Sequence, residues 1–527
     1  MASFSFFWQE NDWQDRRFVV SKIMKSNFVK KFVGRHRLWG FLNLLLHRCL
    51  LWLEAGKLNE EIAHFVNKPI PLAAATGHYF ICQGLLLLHA NPFFRITATS
   101  NAMELAAKYG HLRIVKLLLK AGFEPDYSFT DISETPLYLA AANGHYEIVK
   151  LLIAQGVRLE EECLRINGKN PLDVAVLNKQ KAVVQLLLAN GVSVNIRSYN
   201  DKNDYEHRRW TPLLYAIAND DPEMIEILLK AGADIHHYYA EKKQLIFAAV
   251  IWAKNPQVTD LLLSYGAKIN VSDKDGNTVL HTAIVYSRPE IIELLLKNGA
   301  NSNIANTTCK ETALHLAVSR GYAEAVDLLL KYGAKIDKKC YRYSISKGSI
   351  CSPDNNPLLT PIELVFKHDG LSADVLKILL ENGADKFKVN NQGQSFLHQL
   401  AVKLLNKETQ CEIAQILIDS GLDVNCCDKE QNTPLHLAAE KGRSELCQLL
   451  IDNGANVNAW NHNATPLLIA VAHRHPETVE TLLLGGAKAN VQTKKNQSSA
   501  IYLATRYQSR AEDRRIAKLI KWALSSE

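Results

Sequence analysis

The sequence predicts an all-α fold built from stacked pairs of short helices. Three observations carry that prediction. One stretch, Asn432 to Asn458, reads as a complete helix-turn-helix unit. A glycine that would close its second helix returns at near-constant intervals. A Thr-Pro-Leu start returns with it. Within the stretch, Thr433 offers a hydroxyl to cap a helix, and Pro434 follows at the first helical position, where its missing N–H costs nothing. Leu435, Leu437, Ala438 and Ala439 make a short helix with small residues that admit a close neighbour. Gly442 stops it. Leu446, Leu449, Leu450 and Ile451 form the apolar side of a second helix, and Gly454 supplies the left-handed residue that ends it. Two helices this short cannot bury their apolar faces alone, so the unit needs copies of itself on both sides.

The copies are present. The closing glycine recurs as Gly122, Gly156, Gly191, Gly232, Gly266, Gly299, Gly333, Gly383, Gly421, Gly454 and Gly486, with gaps of 34, 35, 41, 34, 33, 34, 50, 38, 33 and 32. The start recurs as Thr135-Pro136-Leu137, Thr211-Pro212-Leu213, Thr278-Val279-Leu280-His281, Thr312-Ala313-Leu314-His315, Thr360-Pro361-Ile362 and Thr465-Pro466-Leu467. A period near 33 with these marks resembles the ankyrin repeat. The resemblance runs over roughly residues 68 to 524, about thirteen repeats with the first and last degenerate. It implies an ankyrin-repeat solenoid: helix-turn-helix repeats with hairpin fingers projecting between them. The expected organisation is a basic helical N-terminal cap over 1–66, the array over 67–497 and a degenerate capping repeat over 498–527.

Composition agrees with one elongated array. The chain has 527 residues, 47% of them hydrophobic and 22% charged. Ten cysteines show no spacing framework and no CxxC pair, which reads as reduced thiols in a cytoplasmic setting. Residues 16–48 carry Arg16, Arg17, Lys22, Lys25, Lys30, Lys31, Arg35, Arg37 and Arg48 and no acid, against a net +7 for the whole chain. That segment reads as a solvated cap, with contact to an acidic partner or an anionic membrane as the alternative. The apolar run 38–53 is too short for a transmembrane helix and holds His47 and Arg48 in its middle.

Along the array, the start is weak at Pro69-Ile70-Pro71-Leu72 and near-ideal from Thr135 to Gly156. The fourth copy replaces the corner Gly-His with Gln180-Lys181. The sixth carries one extra residue before Pro256 and lacks Thr-Pro. The tenth, from Phe396 to Gly421, predicts a longer first helix or turn. Two segments are enlarged, 196–210 by about eight residues and 338–359 by about seventeen, where a hairpin finger is expected. Extra length there costs little stability and faces the binding side.

No catalytic pattern accompanies the repeat. Gly168-Lys169 lacks the rest of a phosphate loop, and there is no HExxH, GxSxG or DxDxDG run. His281, His315, His398 and His436 stand at the Leu-His position, where the resemblance implies a structural histidine bonded to neighbouring finger backbone. His78, His111 and His145 read the same way. Cys340 and Cys351, and the adjacent Cys426 and Cys427, lack the tight pairing that four-ligand metal sites use.

The expectation is therefore a non-enzymatic scaffold or adaptor with no cofactor and no metal. It binds a protein partner, not nucleic acid, and acts as a monomer. An effector of an intracellular bacterium or virus that captures a host protein is the alternative, and sequence does not separate the two. The resemblance places partners on the concave face, at finger tips and at the end of each first helix. The helix-end candidates are Lys108, Tyr109, Tyr286, Arg320, Glu440, Lys441, His473 and Arg474. The finger candidates are Tyr127, Tyr199, Tyr205, Arg208, Arg209, Trp210, Tyr238, Tyr239 and Trp460. Exposed Trp, Tyr and Arg are the side chains that carry most binding energy.

Overall fold

The computed structural model describes residues 69–87, 101–126, 135–159, 169–199, 209–240, 243–341, 358–367, 372–505 and 511–526. The basic segment 16–48 and the apolar run 38–53 lie outside them, as do 200–208 and 342–357 of the two enlarged segments. The chain divides into two compact units, Met1–Val192 and Ser193–Glu527.

Among the described residues of the first unit four helix pairs follow one another. They are Pro69–Ala75 with Tyr79–Leu87, Ala102–Lys108 with Leu112–Lys120, Pro136–Ala142 with Tyr146–Ala154, and Pro171–Leu177 with Lys181–Ala189. Each first helix packs on the next first helix, and each second helix on the next second helix. Buried alanines make the close approach possible: Ala73, Ala74, Ala106, Ala107, Ala140, Ala141 and Ala175.

The second unit continues the plan from Pro212–Ala218 with Pro222–Lys230 to Ala500–Thr505 with Ala511–Ser526. Three short antiparallel hairpins join it: Ser198–Tyr199 with Arg209–Trp210, Tyr238–Ala240 with Lys243–Gln244, and Cys340–Tyr341 with Leu358–Leu359. Two of them frame the enlarged segments. The all-α repeat fold expected from the sequence is the fold observed.

Each predicted closing glycine sits at positive φ, from +77° at Gly156 to +94° at Gly421. Four residues before each stands a leucine, such as Leu118, Leu262, Leu329 and Leu450, and these side chains are buried. At the 454 turn, Gly454 N–H donates to Ile451 O and Ala455 N–H to Leu450 O, both at 2.9 Å. This double bond pattern satisfies the orphan carbonyls of a helix end and needs the left-handed residue. A Cβ at Gly454 would meet no atom within 4 Å. Gly454→Val should therefore lose about 1–3 kcal/mol through backbone strain alone. Hydrogen exchange should quicken in 434–452 and its neighbouring repeats; unchanged exchange there would refute the account.

The corner between paired helices also needs positive φ. Glycine fills it at Gly77, Gly110, Gly144, Gly321 and Gly442, and Lys179, Asp220, Ser287 and Arg474 adopt φ of 58°, 52°, 50° and 63° in its place. The corner pair of the fourth repeat is thus Lys179-Gln180, one residue earlier than Gln180-Lys181. Gln180 takes the cap position before Lys181–Ala189. The sixth first helix, Leu245–Trp252, has eight residues where its neighbours have seven, as the sequence predicts. In the tenth, the first helix Phe396–Val402 keeps seven residues, and the added length falls mainly in the second, Lys407–Asp419, with thirteen. Asn406 accepts from Thr409 N–H at 2.7 Å and starts that helix early. Gln410 ties it back by donating to Leu400 O at 2.9 Å.

Candidate protein-recognition surface

The histidines at the Leu-His position hold repeats together. In His281 the Nδ1 accepts from Thr278 N–H at 3.1 Å, which leaves the ring proton on Nε2 to donate to Glu311 O at 3.2 Å. His315 repeats this with Thr312 N–H and Lys338 O, at 3.2 and 2.8 Å. His398 repeats it with Ser395 N–H and Asn432 O, again at 3.2 and 2.8 Å. His436 accepts from Thr433 N–H at 3.1 Å, but its buried Nε2 meets no aligned acceptor. Burial holds all four below the ordinary histidine range, His315 and His436 at about 4, so they stand neutral.

Cys426 Sγ lies 3.3 Å from Ser395 Oγ and 3.9 Å from His398 Nδ1. That resembles a nucleophile with its base, yet the chemistry is disarmed. Burial pushes the thiol up, and the Ser395 N–H already occupies the ring nitrogen.

The corners of three repeats carry a second linkage through histidine. Its donor reaches the carbonyl at the end of the preceding first helix: His111 Nε2 to Ala75 O, His145 Nε2 to Lys108 O, and His475 Nε2 to Glu440 O, at 3.1, 2.9 and 2.9 Å. The corner glycine gives the ring room. A Cβ on Gly77, Gly110 or Gly442 would lie 2.6–2.7 Å from the next repeat's imidazole. His78 instead bonds locally, its Nδ1 2.8 Å from Thr76 Oγ1.

The helix-end candidates surround this corner. Lys108 and Tyr109 are exposed, with the ammonium 5.8 Å from the ring centre. Tyr286 is exposed beside Val285. Arg320 is exposed and donates to Val285 O at 3.3 Å. Lys441 pairs with the adjacent Glu440 at 2.8 Å. His473 is exposed, with Nδ1 3.0 Å from Ile469 O. Arg474 is different: it sits 3.3 Å from Asp513, which is buried in the last repeat, so it clamps that repeat down.

Among the finger candidates, Tyr127, Tyr205 and Arg208 lie outside the described residues, and Tyr199 and Arg209 are placed only as strand backbone. Tyr238 is exposed, and its hydroxyl accepts from Gln244 at 3.2 Å. Trp460 is exposed, with Lys494 Nζ 5.0 Å from its ring centre. Two residues are not the exposed finger aromatics the sequence suggested. Tyr239 is only 7% exposed and packs on Trp252 at 5.1 Å. Trp210 is half-buried, stacked on Trp252 at 5.4 Å and 15° and tilted against Tyr215 at 4.9 Å. Both follow from strand alternation, which turns every second side chain of a hairpin base inward.

Sequence reasoning missed Phe387, 69% exposed, and Val389, also exposed. The signal was legible. Phe387 stands where other fingers hold asparagine, and that asparagine joins repeats. Asn425 donates to Gly454 O at 3.0 Å and accepts from Asn456 N–H at 2.7 Å. Asn303 and Asn458 do the same for the 333 and 486 turns. Phe387 breaks that ladder and leaves an aromatic ring in solvent.

Repeats that pair short helices, close each on a left-handed glycine and tie finger to finger form a protein-interaction module. The family comparison agrees: ankyrin repeats (3 copies) match residues 103–198, 245–340, 362–461 and 399–495, and a single ankyrin repeat matches 208–237. The chain belongs to the ankyrin repeat family. Solved structures similar to it include the ankyrin repeat domain of Bcl-3, described as a unique member of the IkappaB protein family. It is 25% identical over 46% of this chain and 97% of that one, with a TM-score of 0.38. The human ASB11 ankyrin repeat domain is 26% identical over 47% of this chain and 98% of that one, with a TM-score of 0.36. No curated protein matches the chain. Among the described residues no helix is long and apolar enough to cross a membrane.

Proposed function

We propose that the chain is a non-enzymatic scaffold or adaptor that binds a partner protein across its first-helix ends and finger tips. The observation that carries this reading is the exposed row at those positions. In the second unit Tyr286 and Arg320 stand at two successive helix ends and Lys441 at a later one, and Tyr238, Phe387, Val389 and Trp460 stand on fingers; in the first unit Tyr109 holds the same place. None of these aromatic rings is needed by the core, and such side chains dominate binding energy. The four Leu-His histidines are buried and each accepts at Nδ1 from its own helix cap.

The 196–210 finger gives a direct test. Its base is fixed by Ser198, which pairs with Trp210 and is buried. Replacing 200–208 by a short Gly-Asn turn keeps that base. Stability should stay within about 1 kcal/mol, because loop length enters the free energy only logarithmically. Partner capture from lysate, with the partner then identified and titrated, should weaken at least about tenfold if two aromatic or Arg anchors are lost. Undiminished binding by a well-folded variant would remove the finger from the recognition surface. Undiminished binding by a Tyr286→Ala, Trp460→Ala variant as well would overturn the proposed surface.

A further inference from the structure

We propose that the chain self-associates head to tail: the outward face of the second helices in one copy's first unit docks on the outward face of the second helices in another copy's second unit. This surface is separate from the helix ends and fingers, and the proposal replaces the monomer expected from the sequence.

The observation is a reversal of charge at equivalent positions. The second, fifth and ninth residues of a nine-residue helix fall within about 60° of one another and make one face. In the second helices that face meets solvent, because the third, fourth and seventh residues are buried, as Ile114, Val115 and Leu118 are. In the first unit the face of Leu112–Lys120 is Arg113, Lys116 and Lys120, and that of Tyr146–Ala154 adds Lys150 beside one acid, Glu147. In the second unit the same positions hold Asp260 on Pro256–Ser264, Glu290 on Pro289–Lys297, Glu324 and Asp327 on Ala323–Lys331, and Asp374 on Ala373–Glu381. Glu293 is paired with Lys297 and drops out. Lys331 and Lys377 are the opposing cations, and the acids outnumber them.

These charges are available. Apart from the Glu293–Lys297 pair, every one named is exposed, and among the described residues none has a hydrogen bond or ion pair at its charged group. Packing therefore asks for neither sign. Each second helix packs on the next. Helices in contact sit about 8–10 Å apart, so each set forms a continuous patch.

Solubility does not ask for this sorting either. A solvated surface is best served by both signs interspersed. Separate blocks of opposite sign make each molecule attract the next, so the chain itself supplies the complement to both of its faces. The signs also fix the geometry. Two cationic faces repel, as do two acidic ones, so the contact joins unlike faces and is heterologous. Each added copy leaves one face of each kind open, and the assembly should grow with concentration.

The test is sedimentation of the full chain at several concentrations. At about 50 mM salt the weight-average mass should exceed one chain and rise with concentration, and at about 500 mM the association should weaken at least about tenfold. Two charge-reversed variants sharpen it. Arg113→Glu, Lys116→Glu, Lys120→Glu makes both faces acidic, and Glu290→Lys, Glu324→Lys, Asp327→Lys removes the acidic patch. Each variant alone should stay monomeric with its melting temperature kept, and an equimolar mixture of the two should associate again. A native chain that is monomeric at low salt, association indifferent to salt, or folded variants that fail to associate on mixing would each overturn the proposal. A monomer that instead sediments with vesicles of anionic phospholipid would overturn it too, and would assign the cationic face to lipid. Should a variant melt early, the native chain's mass at the two salt concentrations still decides the matter. Loss of this contact leaves the helix-end and finger reading intact, since that reading is tested by partner binding.

Discussion

Lowering the pH from 7 to 5 should remove on the order of 4 kcal/mol from the second unit, from His315 and His436 alone. Burial sets their folded pKa at about 4, below an unfolded value of 6.5. Between those values the unfolded chain takes up protons that the folded one refuses. The stabilisation is complete above 6.5, falls as pH drops through that value, and is fully lost below about 4. Each histidine contributes about 1.4 kcal/mol per pH unit inside the window. His281 and His398 are shifted the same way and add to the slope. Glu311, raised by burial, opposes it near its own pKa. Urea titrations at pH 7, 6 and 5 would measure the slope, with hydrogen exchange in 278–285 and 433–440 locating it. A His315→Gln, His436→Gln variant should be less stable at pH 7 but much flatter with pH. An equally steep variant, or a flat native profile, would refute the assignment.

Trp252→Ala should cost about 3 kcal/mol or more. The indole is the hub of an aromatic cluster that stacks on Trp210 and packs on Tyr239, while Trp210 in turn touches Tyr215. Removing it leaves the bases of two fingers without a shared support. Thermal unfolding reads the loss. The variant should also loosen 198–210 while the 434–452 repeat keeps its exchange protection, since repeats contact only their neighbours. A change below about 1 kcal/mol would show that the stack lies on the surface without supporting it.

The fold was readable because each repeat restates it. Glycine at a left-handed turn and threonine before proline act through local backbone rules, and those rules need no tertiary context. The leucine four residues before each closing glycine, the capping threonines and the buried histidines all stand where the sequence pattern places them. What was not readable depended on contacts between repeats. Trp210 and Tyr239 carry the composition of a sticky loop. Only the hairpin at 238–244 and the extra residue of Leu245–Trp252 bring Trp252 beneath them. The added length of the tenth repeat reads as a longer first helix or turn because Asn406 gives no warning of how early it starts the second helix. Phe387 was overlooked for the opposite reason: its meaning lies in the asparagine it replaces.

That replacement has a mechanical consequence. The asparagine ladder works like a row of rivets along one edge of the second unit. Asn270 and Asn303 fasten the plates before residue 337, and Asn425 and Asn458 fasten those after 421. Asp337 and Phe387 occupy the two slots between, where Lys386 Nζ reaching Ser420 O substitutes a long flexible tether. Under load this edge should yield first at the 383 turn, where the asparagine link is missing. The linked stretches on either side should be the stiffer ones, and hydrogen exchange at the 333 and 454 turns should be slower than at the 383 turn.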